Sequence, residues 1–290
     1  MHTSLKIKKV KVIIPVAGIG SRLRPHTHTQ PKALVPVAGK PILAHIIDNL
    51  SDLGLKDFVF VIGYLGDKIE SYVREYYPDI NAAFVIQEPR KGLGHAVWLT
   101  KEHVGSSPLL ISLGDTIFDV DLKAVVESNE SVLGIRKVEN PGSFGIVEIG
   151  EHNKIKSLVE KPLIPKSNLA LVGIYKIQES EALFAALDHL ITNDIRSHNE
   201  YQLTDAIMQM IEDGTEISTF PVENWYDCGS KTSLLETNAI LLKRLPARER
   251  KCGEYENTII IPPVVIPLNC KISNSIIGPN VSIGDNTVIN

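Results

Sequence analysis

Two groups of residues in this 290-residue chain have types and spacings that could do chemistry. The first is Ala17-Gly18-Ile19-Gly20-Ser21-Arg22-Leu23-Arg24-Pro25, closed by Pro31-Lys32. Gly18 and Gly20 let the backbone turn sharply and bring its N–H groups close to a phosphate. Arg22 offers a fork of donors and Lys32 a point charge, and together they can neutralise an oligophosphate. A dinucleotide fingerprint fails because Arg22-Leu23 stands where the third glycine should follow, and a P-loop fails because no G-K-[ST] is present. The loop carries more cation than a dinucleotide needs, which fits a triphosphate. The second group is a pair of carboxylates, Asp115 after Leu113-Gly114 and Asp227 before Cys228-Gly229. Alone, each reads as a turn or cap residue. Beside a triphosphate loop they become candidates for Mg²⁺, which takes one or two carboxylates plus phosphate oxygens.

The elements that must position these groups follow an α/β rhythm. Val10–Val16 is a β-branched run that suits a strand buried on both faces of a parallel sheet. Pro41 opens a helical pattern that stops at Gly54. Strands are expected at 58–62, 83–87 and 109–113, with helices over 67–77 and 92–104. This alternation predicts a doubly wound, mostly parallel sheet with ligands at the carboxyl ends of its strands. The loop and Asp115 each follow such a strand. From about residue 130 short strands follow one another (132–138, 145–149, 155–159, 169–177), then helices over 179–190 and 201–212 and a strand at 216–222. This reads as an insertion building a second lobe. A helix over 231–244 precedes a charged linker, and residues 257–290 repeat isoleucine every six positions (Ile260, Ile266, Ile272; then, after a one-residue slip, Ile277, Ile283, Ile289). That period is the signature of a parallel β-helix. The expected domains are 1–245, with 130–222 as its second lobe, a linker at 246–256 and a β-helix segment at 257–290. The short coil would need a cap, a partner or further sequence, and a homo-oligomer is expected.

Composition sets the outer bounds. Hydrophobic residues make up 43% and charged residues 22%, which excludes a disordered chain, a collagen and a coiled coil. The net charge of −4 hides a split: residues 1–50 carry +7, from eight Lys/Arg against Asp48, and the rest −11. An acidic protein with one basic segment points to a small anionic ligand rather than nucleic acid. Cys228, Cys252 and Cys270 form no C-x-x-C pair and are an odd number, so free thiols in a reducing cytoplasm are expected. No stretch approaches the roughly 18 apolar residues of a membrane span.

The chain resembles the sugar-1-phosphate nucleotidyltransferases. It does so through Gly18-Ile19-Gly20-Ser21-Arg22-Leu23, Pro31-Lys32, Pro36-Val37-Ala38-Gly39-Lys40-Pro41-Ile42, Gly92-Leu93-Gly94-His95-Ala96, Leu113-Gly114-Asp115, Glu160-Lys161-Pro162, Val172-Gly173-Ile174-Tyr175 and Trp225-Tyr226-Asp227-Cys228-Gly229. The resemblance covers about residues 10–240, in family order. It implies a Rossmann-like fold with a β-rich sugar-binding insertion over 130–222 and, in the longer members, a left-handed β-helix segment. It implies transfer from a nucleoside triphosphate, dTTP or UTP, to a sugar-1-phosphate such as glucose-1-phosphate, with Mg²⁺ on Asp115 and Asp227. Arg22 and Lys32 would be catalytic, and Ala17, Gly18, Gly20, Ser21, Gln87 and Gly92 would bind the nucleotide. Gly145, Glu160, Lys161, Gly173 and Tyr175 would bind the sugar phosphate. Compared with short thymidylyltransferases, Ala33 replaces a base-contacting glutamine and His198 a phosphate-binding arginine, with Arg196 nearby but out of register. Ala17 replaces the usual first glycine. These departures leave the reaction class standing and leave base and sugar open between a pyrimidine enzyme, a mannose-1-phosphate guanylyltransferase and a bifunctional N-acetylglucosamine-1-phosphate uridylyltransferase-like enzyme. The non-enzyme alternative is a regulatory subunit, against which Arg22, Lys32, Asp115, Lys161 and Asp227 argue.

Overall fold

The β-branched run around Ile13 becomes the middle of a nine-stranded sheet. In this computed structural model, which describes residues 10–246 and 255–290, the strand Lys11–Pro15 pairs in parallel with Asp57–Ile62 on one side and Leu109–Ser112 on the other. Asn81–Ile86 joins in parallel beyond Asp57–Ile62. Val12, Ile13, Ile14, Leu109, Leu110 and Ile111 have no exposed surface, as a strand covered on both faces requires. Lys6, Lys8, Lys9, Cys252 and linker residues Arg248–Lys251 lie outside the described residues.

Helices Ile42–Asp52, Gly66–Tyr76 and Ser180–Thr192 match the apolar spacing read from the sequence. The single helix expected over 92–104 is two, Leu93–Trp98 and Lys101–Val104. Thr100 marks the break: its hydroxyl donates back to the Val97 carbonyl at 2.7 Å, the local bond by which threonine competes with a helical ladder.

The strands after residue 130 join the same sheet. Leu169–Ile177 runs antiparallel to Leu109–Ser112, Ser131–Lys137 and Gly145–Ile149, and Ile155–Glu160 closes that edge antiparallel to Gly145–Ile149. Ile217–Pro221 pairs in parallel with Ser131–Lys137. The architecture is thus α/β, a parallel centre with an antiparallel extension.

Residues 257–290 form three two-stranded parallel ladders, each pairing a residue with the one 17 positions on: Ile259 with Ile276, Val264 with Val281, Lys271 with Val288. This is two turns of a parallel β-helix. A 17-residue turn accounts for the slip between Ile272 and Ile277, since one side of the coil is a residue short. Val264, Ile266, Cys270, Ile272 and Ile277 fill the interior. Asn257 donates to Asn274 (2.9 Å) and Asn269 to Asn286 (3.3 Å). Asn257, Asn274 and Asn286 have positive φ, which asparagine tolerates.

The chain divides into two compact units that do not follow sequence order. One comprises the chain up to Ile19, Ile46–Gly114 and Phe118–Trp225; the other comprises Gly20–His45, Asp115–Ile117 and Tyr226–Asn290.

Candidate active site

The second unit holds the loop cations and both candidate carboxylates. Gly20 lies in the left-handed region (φ +67), and the Thr27 hydroxyl donates to its carbonyl at 2.8 Å. A side chain at residue 20 would come within 2.9 Å of the Lys32 Cβ, so the glycine closes the loop onto Lys32. Lys32 Nζ then donates to Asp115 Oδ2 at 2.5 Å, with the lysine side chain 13% exposed and the aspartate 36%. The Asp115 carbonyl accepts from the Cys228 N–H at 3.0 Å, which sets Asp227 on the neighbouring segment. Asp227 Oδ1 accepts from the Gly229 N–H at 2.8 Å, Oδ2 from the Ser233 hydroxyl at 3.2 Å, and the main-chain oxygen from Thr237 at 3.1 Å. The turn reading of Asp227 is therefore correct as geometry. It steadies a carboxylate whose neighbour is a cation: a Cβ built on Gly229 would meet both Asp227 Oδ1 (2.7 Å) and an Arg22 guanidinium nitrogen (2.9 Å).

The electrostatics agree with the placement. Burial first, then the Asp227 and Asp115 charges, push the Cys228 thiol up to about 12 against an opposing pull from Lys32. Among the described residues no group of three or more His, Cys, Asp or Glu could hold a metal alone. Two carboxylates without a third suit an ion that completes its shell from phosphate oxygens and water. Ser21 opens an exposed turn and Ala33 is buried.

The first unit carries the remaining expected residues. Ala17, Gly18, Gln87, Gly92, Leu93 and Glu200 line an open cleft of about 920 Å³. Gly92 has φ +107, and a side chain there would fall 2.6 Å from the Tyr201 carbonyl. Gly94 N–H donates to that carbonyl and Tyr201 N–H to the Lys91 carbonyl, both at 2.8 Å. Gln87 is 6% exposed and donates its amide nitrogen to the Gly92 carbonyl at 2.9 Å.

Glu160 faces Gly145 across their ladder, with Oε2 at 3.0 Å from the position a Gly145 Cβ would take. Lys161 Nζ lies 3.6 Å from Glu160 Oε1, and its main-chain N–H donates to the Phe144 carbonyl at 3.0 Å. The structure thus brings Gly145, Glu160 and Lys161 together. Gly173 (φ +90) sits at the register shift where Leu169–Ile177 changes partners. Tyr175 is 4% exposed and packs in the hydrophobic core, opposite Ile111. Arg196 is engaged by Asp194 at 2.6 Å and by the Tyr201 hydroxyl at 3.2 Å. His198 Nε2 lies 3.3 Å from the Glu160 carbonyl. Sequence reasoning missed His95 and the Asp227 supports Ser233 and Thr237. The first sat unremarked inside a quoted motif. Ser230 and Ser233 form a reciprocal cap on helix Lys231–Arg244, but with serine where the capping-box pattern has Glu or Gln.

Residues 11–244 match the nucleotidyl transferase family. The chain belongs to that family and is an enzyme of the nucleotidyltransferase class, as the resemblance to sugar-1-phosphate nucleotidyltransferases implies. It is 33% identical to the low-salt glycan biosynthesis nucleotidyltransferase Agl11 of Haloferax volcanii, over 86% of this chain and 71% of that one. It is 30% identical to a glucose-1-phosphate thymidylyltransferase of Streptomyces griseus, over 97% and 84%. It is 34% identical to the bifunctional protein GlmU of Methanococcus vannielii over 88% of this chain, but spans only 60% of that protein's length. Among solved structures, UDP-glucose pyrophosphorylase complexed with UDP-glucose superposes with a TM-score of 0.71 at 26% identity, covering 81% of this chain and 99% of that one.

Proposed function

We propose that this enzyme joins a nucleoside triphosphate to a sugar-1-phosphate, releasing pyrophosphate, with dTTP or UTP and glucose-1-phosphate as the favoured pair. The observation that carries the reading is the cluster of Lys32 on Asp115 with Asp227 and Arg22 meeting at Gly229, where cation and carboxylate alternate as a phosphoryl-transfer site requires. A sugar-phosphate oxygen attacks the α-phosphorus and the bond to pyrophosphate breaks. The attacking group is already an anion, so no strong base is needed. The difficulty is bringing two polyanions together, and fixed cations offset it. Lys32 acts at the α-phosphate and Arg22 forks onto the departing pyrophosphate. Lys161 holds the sugar phosphate, with Glu160 and backbone near Gly145 and Gly173 for its hydroxyls. Ala17, Gly18, Gly20 and Ser21 line the nucleotide, and Gln87 with the Gly92 backbone reads the base. Asp115 and Asp227 would hold Mg²⁺, which when bound neutralises phosphate charge.

We assign the chemistry to residues 1–245 and place it in the cytoplasm, as a homo-oligomer. Among the described residues no helix is long and apolar enough to cross a membrane. The test is pyrophosphate release with Mg²⁺ across four triphosphates and glucose-, galactose-, mannose- and N-acetylglucosamine-1-phosphates. Turnover is expected with dTTP or UTP and glucose-1-phosphate. No turnover with any pair overturns the reading.

A further inference from the structure

Gln87 is buried, yet it lines the cleft of the first unit. Its amide nitrogen has two partners, the Gly92 carbonyl at 2.9 Å and His95 Nδ1 at 3.2 Å. A carbonyl can only accept, so the amide atom facing Gly92 must be the NH₂ group. Both hydrogens of that group are then committed. His95 Nδ1 therefore presents its lone pair, and in the neutral ring the proton sits on Nε2. No donor among the described residues pairs with Gln87 Oε1, the amide's one acceptor, and Gln87 lines the cleft.

We infer that His95 is a positioning residue that locks the Gln87 amide so that only an acceptor meets the nucleobase. The inference rests on the base-reading role proposed above for Gln87 and goes further, to what fixes its polarity. An acceptor selects a ring nitrogen that carries hydrogen. Uracil and thymine have one at N3; cytosine at N3 and adenine at N1 present lone pairs instead. Opposed lone pairs leave two desolvated groups unpaired. Guanine N1 also carries hydrogen, so the lock separates donors from acceptors rather than pyrimidines from purines.

The histidine is held for this task. Its ring stacks on Trp98 (centroids 5.9 Å apart, 22° between planes) and leans on Tyr201 at 6.4 Å. Burial, with the Lys91 charge as a second cause, lowers its pKa, so the ring stays neutral. A protonated ring would turn an N–H toward the amide nitrogen and release the lock.

The experiment measures binding of UTP, dTTP and CTP with Mg²⁺ by calorimetry. The proteins are wild type, Gln87→Ala, His95→Phe and His95→Asn. Phenylalanine keeps a ring against Trp98 and removes the acceptor; asparagine returns an acceptor oxygen near the place of Nδ1. Wild type is expected to prefer UTP over CTP, and Gln87→Ala to lose the preference. His95→Phe should lose about tenfold of it, the worth of one hydrogen bond, and His95→Asn should keep most. An unchanged ratio in Gln87→Ala overturns the base reading and this inference with it. A changed ratio there, with His95→Phe weakening UTP and CTP equally, overturns the inference alone. Independently of any variant, ¹⁵N shifts of histidine-labelled wild type should report the Nε2–H tautomer at His95, and an Nδ1–H tautomer overturns the lock.

Discussion

The Nζ of Lys32 lies 2.5 Å from Oδ2 of Asp115, joining a loop lysine to a strand-end carboxylate 83 residues away in sequence. Both groups keep some solvent contact, so the pair adds little to stability, about 0–1 kcal/mol. Its meaning is chemical. Lys32→Ala is expected to lower kcat by about 10²–10³, the range for removing one preorganised charge from a transition state. The melting temperature should fall by no more than about 4 °C. Single-turnover pyrophosphate release, read beside a thermal scan, checks both. A wild-type rate in Lys32→Ala would remove the lysine from the reaction.

Cys228 makes a prediction of the opposite kind, inertness. Its side chain is wholly buried, and burial with the neighbouring Asp227 and Asp115 pushes the thiol up to about 12. The reactive form is the thiolate. At pH 8 in the native protein, iodoacetamide should leave the Cys228 peptide unmodified, and the buried Cys270 likewise. Both should label in denaturant. Mass spectrometry of the digested protein checks this, and rapid native labelling of Cys228 contradicts the burial.

How much of this was legible in the sequence depends on range. The parallel centre was readable because its strands are short, mainly apolar runs between helical patterns, and helix Lys231–Arg244 because its bounds are local. The loop Gly20–Lys32 was readable because glycines and cations are adjacent in the chain. The partners of Leu169–Ile177 were not: that strand pairs with three others, and the register shift at Gly173 is a tertiary event. The burial of Tyr175 was hidden for the same reason, since a tyrosine two residues from a motif glycine gives no sign of which side faces the core. The lock on Gln87 could not be read either, because it depends on which atom of an amide faces a carbonyl.

His95 gives the pH prediction. Its pKa is lowered in the fold, by burial first and Lys91 second, so folding favours the neutral ring. The stabilising contribution is complete above the unfolded value of about 6.5. Below that, the unfolded chain takes up the proton first and the contribution is lost until pH reaches the folded value. Wild type compared with His95→Phe isolates this group. The stability difference between them, from urea unfolding at pH 5 to 8, should be constant at the alkaline end and shift against wild type below about pH 6.5. A difference flat to pH 5 would mean that His95 titrates normally.

Asn238 ties three parts of the second unit. Its Oδ1 accepts from the Ala38 N–H at 2.9 Å and lies 3.5 Å from the Ser282 hydroxyl, while its Nδ2 donates to the Asn280 carbonyl at 2.8 Å. Helix Lys231–Arg244 is thereby joined both to the hairpin in which strand Pro36–Val37 pairs antiparallel with Lys40–Pro41 and to the β-helix. Removing the amide strands a buried N–H at Ala38, which is 5% exposed, and a carbonyl at Asn280. One stranded buried group costs about 1–3 kcal/mol, so Asn238→Ala should lower the melting temperature by roughly 2–4 °C per kcal/mol lost. Asn238→Asp keeps the acceptor for Ala38 and sets a carboxylate against the Asn280 carbonyl, so it should fall at least as far, and further at pH 8 than at pH 4. Differential scanning calorimetry at the two pH values checks the ranking. Equal melting temperatures for Asn238→Ala and wild type would show that the β-helix and hairpin are held by apolar contact alone.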